Sequence, residues 1–382
     1  MAIAGERAEL PNRHEDGVFR SPSLHTPTND AAWPLGRDAG GSIRFAPIPS
    51  PRPRPRARPE RGVKTPRSIF EAADEPSDPA HLCVSERMDL VPLSSIEQRG
   101  IDSMEFWIGW FHEQSLGPDV ARIASALEAT GFEGVALSDH IAMPKAQKSL
   151  HPVMQTGFDP LNHYIEPFTT AAFMGAVTQR LRFMTYSMVS GMREPFSIAK
   201  QSAVLSDLTG GRFDLGITPG WLEEEIALLG HDPATRGKRF NEALDVITGL
   251  WENDLFSYDG EFYRFEEVGV SPRPTVKPKI YVGGHGKLSL RRAARRDGWI
   301  GMIHSVDELE EMFAYLESRG APKQNKIYII PGEPLSRQYI ERMEGLGVDG
   351  MVVMVWPIHD PEFASATARI EALEKFSEQW IA

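Results

Sequence analysis

The chain is 382 residues long, and its 41% hydrophobic and 25% charged residues are typical of a globular protein with one large or two ordinary domains. Its single cysteine, Cys83, excludes an intramolecular disulfide, a thiolate metal cluster and CxxC redox chemistry, so we expect a cytoplasmic location. The net charge of −12 argues against nucleic acid as a partner, and because no apolar run approaches about 18 residues we expect no membrane span.

Residues 1–103 have the composition of an extension rather than of a fold. Within them, residues 46–59 alternate proline with arginine. Proline lacks an amide donor and the arginines repel one another, so such a stretch stays extended and solvated. We predict a disordered extension over 1–103. The alternatives are a basic docking tail, or a start codon placed upstream of Met88 or Met104.

From Met104 onward, short apolar strands alternate with amphipathic helices. Repeated β-α units build a parallel sheet, and eight of them in about 250 residues is the size of a closed (β/α)8 barrel, the TIM barrel. An open doubly wound sheet would need a GxGxxG turn after the first strand, which residues 110–117 lack. We therefore predict one barrel over 104–382, with strands at 106–110, 134–138, 181–187, 213–217, 279–283, 299–303, 326–330 and 350–355.

The predicted helices lie between and after these strands, and the long gap before the fifth strand indicates an insertion. A hairpin around Asp259-Gly260, over residues 256–265, fits this insertion and would sit on the barrel mouth. The helical patterns cover residues 119–130, 167–177, 196–208, 239–251, 306–318, 335–346 and 361–381.

The second predicted strand ends in Ser138-Asp139-His140. In a (β/α)8 barrel the active site lies at the carboxyl ends of the strands. A carboxylate beside an imidazole can hold the ring in one tautomer, and the ring can then give or take a proton near neutral pH. Asp139 and His140 are therefore the candidate catalytic residues. The alternative is an aspartate that caps a turn and a histidine that only packs.

The fourth predicted strand leads into Gly220 and Trp221. Glycine lets the backbone approach a ligand closely, and an indole can stack on a planar ring, so both are candidate cofactor-binding residues. Glu223, Glu224 and Glu225 follow in a first helical turn, where acids stabilise the helix dipole. Helix capping is thus the alternative role for these acids.

The fifth predicted strand runs into a glycine turn formed by Gly283, Gly284, His285 and Gly286. Consecutive glycines before a helix expose backbone amides, which suits a phosphate group. Four arginines follow on the next helix. Some of them could face the anion, whereas the others would form a solvated face; they are Arg291, Arg292, Arg295 and Arg296.

Motifs for metal binding and for hydrolysis are absent from the sequence. It contains no HxxxH or HExxH pattern, so we predict no metal site, and no GxSxG nucleophile elbow. A site rich in glycine, histidine and tryptophan instead favours a bound cofactor that carries the difficult chemistry.

In their order and spacing, the motifs after Met104 resemble the bacterial luciferase-like monooxygenase family, including its branch that uses the deazaflavin coenzyme F420. The motifs that carry this resemblance are LEATGFEGV at 127–135, SDH at 138–140, QRLRF at 179–183, AKQ at 199–201, GGRFDLGITPGWLEEE at 210–225, RGKRFNE at 236–242, PRP at 272–274 and IYVGG at 280–284.

The resemblance implies a barrel with insertions, usually dimeric, so we expect a homodimer. It implies FMN or F420 across the barrel mouth, with the cofactor phosphate on the glycine turn and the Asp139–His140 pair near the ring. Tyr186 and Ser187 match a bulge that supports the ring, often through a non-prolyl cis peptide. The family's sugar-phosphate dehydrogenases carry glutamate at the position of Trp221, so the resemblance argues against a sugar phosphate as substrate.

Three functions remain open from the sequence. The preferred hypothesis is an F420-dependent oxidoreductase that transfers a hydride to or from a small organic substrate, with His140 handling a proton. The alternatives are an FMN-dependent monooxygenase that uses oxygen, and a catalytically silent cofactor-binding subunit. An apolar substrate is expected from the predicted pocket residues, which are Trp110, Phe111, Met143 and Trp356.

Overall fold

The computed structural model describes residues 104–110, 118–322, 326–357 and 360–381. The extension expected over 1–103 lies outside the described residues, as does Phe111. Among the described helices, none combines the length and the apolar character needed to cross a bilayer. Nor does any group of three or more His, Cys, Asp and Glu side chains in these ranges come together in a way that could hold a metal ion.

Eight parallel strands close into a barrel, as the sequence predicts. The barrel strands are β1 (Glu105–Trp110), β2 (Gly134–Leu137), β3 (Arg182–Thr185), β5 (Phe213–Thr218), β8 (Ile280–Gly283), β9 (Gly298–Ile300), β10 (Lys326–Ile329) and β11 (Gly350–Val353). Neighbouring strands pair in the order β3-β2-β1-β11-β10-β9-β8-β5, and pairing of β3 with β5 closes the ring.

Alternation along the strands sorts the core into two layers. On β1, Phe106, Ile108 and Trp110 belong to the large cluster between the strands and the helices, whereas Trp107 belongs to a smaller cluster inside the barrel. Successive strand residues point to opposite faces, so this division follows directly from the period of two. The interior layer is aromatic, and Tyr328 contacts Trp107 with ring centroids 5.6 Å apart.

The helices cover the outside of the barrel. The sequence predicts seven of them closely, although α9 is shorter than expected because residues 361–363 form a separate 3₁₀ turn. The helices are α1 (Pro118–Ala129), α2 (Pro167–Gly175), α3 (Pro195–Leu208), α4 (Glu223–Leu228), α5 (Arg236–Glu252), α6 (Lys287–Ala293), α7 (Val306–Ser318), α8 (Arg337–Leu346) and α9 (Ala366–Trp380).

Two insertions stand at the carboxyl end of the barrel. One is the long loop of residues 138–166 between β2 and α2. The other joins β5 to β8 and contains α4, α5 and the predicted hairpin, whose strands are β6 (Phe256–Asp259) and β7 (Arg264–Val268). The third predicted strand is shorter than expected: it stops at Thr185, and a two-residue strand, β4 (Met188–Val189), resumes the pairing with β5.

Candidate active site at the barrel mouth

A cavity of about 150 Å³ lies where the carboxyl ends of β3, β5, β8 and β9 meet. Tyr186 and Ser187 follow β3, Gly220 and Trp221 follow β5, and all four line it. The glycine turn after β8 contributes Gly283, Gly284 and His285 to the same wall. The structure thus brings together seven of the eight predicted cofactor-binding residues. The eighth, Gly286, is the N-cap of α6 beside them.

The peptide between Tyr186 and Ser187 is cis, as the resemblance implies. It fills the gap between β3 and β4. The Tyr186 side chain is 7% exposed, and its hydroxyl donates a hydrogen bond to the carbonyl of Gly301. With the phenol anchored between strands, a flat stretch of backbone is left beside the cavity.

At Gly283 and Gly284 the glycine turn presents backbone to the cavity, because a Cβ atom at either position would crowd a neighbouring side chain. At Gly284 the φ angle is +114°, and a Cβ atom would lie 2.5 Å from the Ser289 hydroxyl oxygen. The Ser289 side chain itself lines the cavity. Neither Arg292 nor Arg296 is directed at the turn: Arg292 donates to Asn241, and Arg296 pairs with Asp245 at 2.9 Å. Both arginines are half-buried and contact α5 rather than the turn.

A histidine pair stands beside the glycine turn. His285 Nδ1 lies 2.7 Å from His304 Nε2, and His304 Nδ1 lies 3.6 Å from a carboxylate oxygen of Glu308. Burial, and next the neighbouring His304, lower the pKa of His285 to about 4. At neutral pH this wall of the cavity is therefore uncharged.

His140 is paired with a carboxylate, but the partner is Glu225 rather than Asp139. His140 Nδ1 lies 2.7 Å from Glu225 Oε2, and the amides of Ile141 and Ala142 donate to the other oxygen at 2.7 and 2.9 Å. Burial pushes the pKa of Glu225 up, but the imidazole and the two amides outweigh burial and bring it below its ordinary value. An ionised Glu225 accepts a hydrogen bond from the Nδ1–H of His140 and fixes the orientation of the ring.

Asp139 turns away from the imidazole and holds the segment that follows β3. Its Oδ2 accepts from the Val189 amide at 2.9 Å and from Arg193 at 2.8 Å, and the residue is 3% exposed. Burial raises the pKa of Asp139, and Arg193 offsets part of that rise. The expectation that Asp139 orients His140 is therefore wrong, because the carboxylate is already engaged by Arg193.

Glu224 and Glu225 fasten the loop of residues 138–166 rather than cap a helix. Glu224 accepts from the amides of Lys148 and Ser149 at 2.7 and 3.1 Å. Burial pushes the pKa of Glu224 up, but these hydrogen bonds lower it to about 2. Glu223 pairs with Arg236 at 3.0 Å. Helix capping thus fails to account for two of the three acids.

An aromatic cluster separates His140 from the cavity. The centroid of the His140 ring lies 4.7 Å from that of Tyr164, 6.2 Å from that of Trp221 and 6.4 Å from that of Phe158. Trp221 lines the cavity, whereas His140 is not among the lining residues. The predicted catalytic imidazole therefore packs against the cavity wall rather than forming it.

His151, which the sequence does not single out, does line the cavity. Its Nδ1 accepts hydrogen bonds from the amides of Val153 and Met154 at 3.3 and 3.1 Å, and its ring lies 5.2 Å from Phe158 and from Trp221. Burial, and next the nearby His140, lower the pKa of His151 to about 4. The loop has no periodic pattern, so no sequence signal predicts this placement.

The predicted pocket residues Trp110 and Trp356 do not line the cavity. Both are buried in the layer between strands and helices, where their rings meet edge to face at 6.5 Å. Trp110 ends β1 on the helix-facing side, so the period of two directs it away from the barrel interior. Met143 lies half-buried in the loop of residues 138–166. The strand-end rule instead identifies Met302, which follows β9 and lines the cavity.

The family model of the luciferase-like monooxygenases matches residues 109–334. The chain belongs to this family. An uncharacterized protein of Mycobacterium bovis is 34% identical over 269 residues, which cover 68% of this chain and 93% of that protein. An FMNH2-dependent dimethylsulfone monooxygenase of Pseudomonas fluorescens is 33% identical over 160 residues, which cover 40% of this chain and 43% of that protein.

Solved structures of other proteins share the fold. An F420-dependent secondary alcohol dehydrogenase aligns with a TM-score of 0.58 at 15% identity, covering 73% of this chain and 99% of that chain. At this identity the likeness establishes the (β/α)8 barrel and nothing finer. Together with the family match, it shows a luciferase-like oxidoreductase fold with a cavity at the expected end.

Proposed function

We propose that this protein is an F420-dependent oxidoreductase that transfers a hydride to or from a small organic substrate. The proposal is supported by one cavity that combines a flat backbone wall at Tyr186–Ser187, an indole at Trp221 and a glycine turn with open backbone. An imidazole–carboxylate pair packs against the indole. These features fit a planar ring with a phosphate-bearing tail.

The residues present suit such a cofactor. The Tyr186–Ser187 peptide and Trp221 can flank a ring, and the turn at Gly283 and Gly284 has room only for backbone, as a phosphate site requires. Bound deazaflavin would supply two-electron hydride chemistry, which no side chain of the cavity provides.

The protein's own contribution is orientation and proton handling. Hydride transfer to a carbonyl places negative charge on its oxygen, and a proton donor nearby lowers that barrier. His140, held by Glu225, is the residue to which we assign the proton. The His140 ring packs edge to face against Trp221, which lines the cavity.

An FMN-dependent monooxygenase is the second candidate. The observation that favours it is the 33% identity, over 160 residues, to the FMNH2-dependent dimethylsulfone monooxygenase of Pseudomonas fluorescens. A silent cofactor-binding subunit is disfavoured, since pairing alone requires neither the His140–Glu225 pair nor the glycine turn.

Spectroscopic titration of the purified protein with F420 and with FMN separates these functions. We expect saturable binding of F420, tighter than that of FMN, and F420-linked turnover of small ketones or alcohols. Oxygen-dependent turnover with reduced FMN, and none with F420, would establish the second candidate. Cofactor binding without either kind of turnover would indicate a catalytically silent cofactor-binding subunit.

A further inference from the structure

The cavity is lined, among the residues that the structure describes, by side chains without a formal charge. None of the described residues that line it is an aspartate, glutamate, lysine or arginine. Its two titratable imidazoles, His151 and His285, both have pKa values lowered to about 4, first of all by burial, so both are neutral at neutral pH. Apart from the glycine turn, whose backbone suits the cofactor phosphate, this lining gives a charged group no counter-charge for its lost hydration, which is costly.

His151 presents one defined hydrogen-bonding atom to this space. Two backbone amides donate to Nδ1, so that nitrogen is unprotonated and the ring proton of the neutral imidazole resides on Nε2. Among the described residues Nε2 has no hydrogen-bond partner, and the ring is held between Phe158 and Trp221. The loop thus fixes an N–H donor at the cavity wall.

We propose that His151 determines substrate specificity, through an Nε2–H that donates a hydrogen bond to an uncharged acceptor oxygen, such as a ketone or sulfone oxygen. This inference rests on the proposed function, in which the cofactor phosphate lies on the glycine turn and the substrate meets the cofactor ring within the same cavity. It names a substrate class that is neutral and bears an oxygen acceptor. Outside the glycine turn, the described walls offer carboxylate, sulfonate and ammonium groups no counter-charge, so we expect these ions to bind poorly.

The tautomer is measured directly by ¹⁵N NMR of protein labelled at its histidine rings. The His151 signals are assigned by their loss in His151→Asn, a variant whose side-chain oxygen can still accept from the Val153 and Met154 amides. We expect a neutral ring protonated on Nε2, unchanged between pH 7.5 and about pH 5.5 because its pKa is about 4. A ring that titrates within this window, or that carries its proton on Nδ1, overturns the proposal.

The substrate class is tested with three probes of one shape: cyclohexanone, cyclohexanecarboxylate and cyclohexylammonium. Dissociation constants come from ligand-observed NMR on protein saturated with whichever cofactor it binds. We expect only the ketone to bind appreciably, and to shift the His151 Nε2–H signal. The proposal is overturned if either ion binds as tightly as the ketone or more tightly, or if the ketone does not bind. It is also overturned if the His151 Nε2–H signal shifts with cofactor but not with ketone.

Matched variants isolate the donor. One lost hydrogen bond is worth about three- to tenfold in affinity, so His151→Asn should weaken cyclohexanone binding by that factor. In His151→Gln the longer side chain can place its amide group where Nε2 lies, so this variant should restore most of the affinity for cyclohexanone. The control is His163→Asn, an exposed histidine on the same loop, which should bind as wild type. Unchanged binding by His151→Asn contradicts the assignment. If neither F420 nor FMN binds, the proposed function fails, while these measurements can still be made on the unloaded protein.

Discussion

Asp139 and His140 are adjacent in the chain but have different partners in the fold. Asp139 pairs with Arg193 at 2.8 Å, whereas His140 pairs with Glu225 at 2.7 Å. The first pair joins the end of β2 to the segment after β4, and the second joins it to α4. One residue therefore has a structural environment and the other an environment suited to moving a proton.

Substitution of His140 tests the proton assignment. His140→Ala should lower turnover by about 10²–10⁴, the usual contribution of a general acid or base, and should change cofactor affinity only modestly. Steady-state kinetics and cofactor titration on the same variant provide both values. If affinity falls while turnover at saturating cofactor survives, His140 supports the ring instead.

Asp139→Asn should destabilise the fold. The change leaves the Arg193 guanidinium, whose side chain is 12% exposed, without its buried partner, and breaking such a pair costs about 3–5 kcal/mol. Urea unfolding measures this loss. Arg122→Ala, which removes an exposed pair with Asp119, is the control and should cost less than about 1 kcal/mol. Equal losses for the two variants would contradict a structural role for Asp139.

Acid should destabilise the protein through its buried imidazoles. The pKa of His151 falls from 6.5 to about 4 on folding, so between these values the unfolded state binds more protons. Stability is therefore lost as pH falls through this window, by up to about 1.4 kcal/mol per pH unit for each such group. Melting temperatures between pH 7.5 and 5 should fall less steeply in His151→Asn than in wild type. Parallel curves would show that His151 titrates normally.

At the scale of elements, alternation and helical periodicity predict the eight barrel strands and seven of the helices. These patterns fail where a segment is positioned by contacts with residues far away in the sequence. The loop of residues 138–166 has no period, and it is positioned by Glu224 and Glu225, some 75 to 85 residues away in sequence. His151 therefore reaches the cavity through contacts that a single sequence does not reveal.

The glycine-containing turns after the strands are predicted better than the aromatic pocket residues. Gly220, Trp221 and the glycine turn are found because a parallel barrel brings all its carboxyl ends together. Trp110 is misplaced because aromatic character does not tell which face the last residue of β1 presents, and Trp356 lies three residues beyond the end of β11. Because side chains alternate along a strand, a shift of one residue moves a side chain from the layer beneath the helices to the barrel interior.

The glycine turn is best tested by comparing FMN with riboflavin, which lacks the phosphate. Substitution at Gly284 would strain a backbone with φ of +114°, so side chains beside it are the better targets. His285→Asn combined with Ser289→Ala should weaken FMN binding about tenfold, or about 1.4 kcal/mol, and leave riboflavin unaffected. Equal losses for both ligands would place the phosphate elsewhere.

At the scale of the whole molecule, a group of ion pairs lies at the end of the barrel opposite the cavity. Lys326 lies 3.0 Å from Glu105 and 3.3 Å from Asp349, and Arg182 pairs with Asp214; all these residues lie at the amino-terminal ends of strands. Ion pairs thus stabilise one end, while the described lining at the other end has no charged residue.

A chain that begins at Met104 should fold and bind cofactor as the full-length protein does. Met104 is 8% exposed and belongs to the core cluster, so the barrel begins there. Calorimetry of both proteins should show cooperative melting at similar temperatures, with equal affinities for the cofactor. Insolubility of the shorter chain, or loss of cofactor binding, would place part of residues 1–103 within the folded unit.

The aromatic filling of the barrel also has a kinetic consequence. Trp107, Tyr281 and Tyr328 pack the interior beneath the cavity, so the described barrel offers no passage through its centre. Two ligands that share the cavity must then use the mouth in turn. If cofactor and substrate share the cavity as we propose, the deeper ligand would enter first and leave last, so we expect an ordered rather than a random binding sequence.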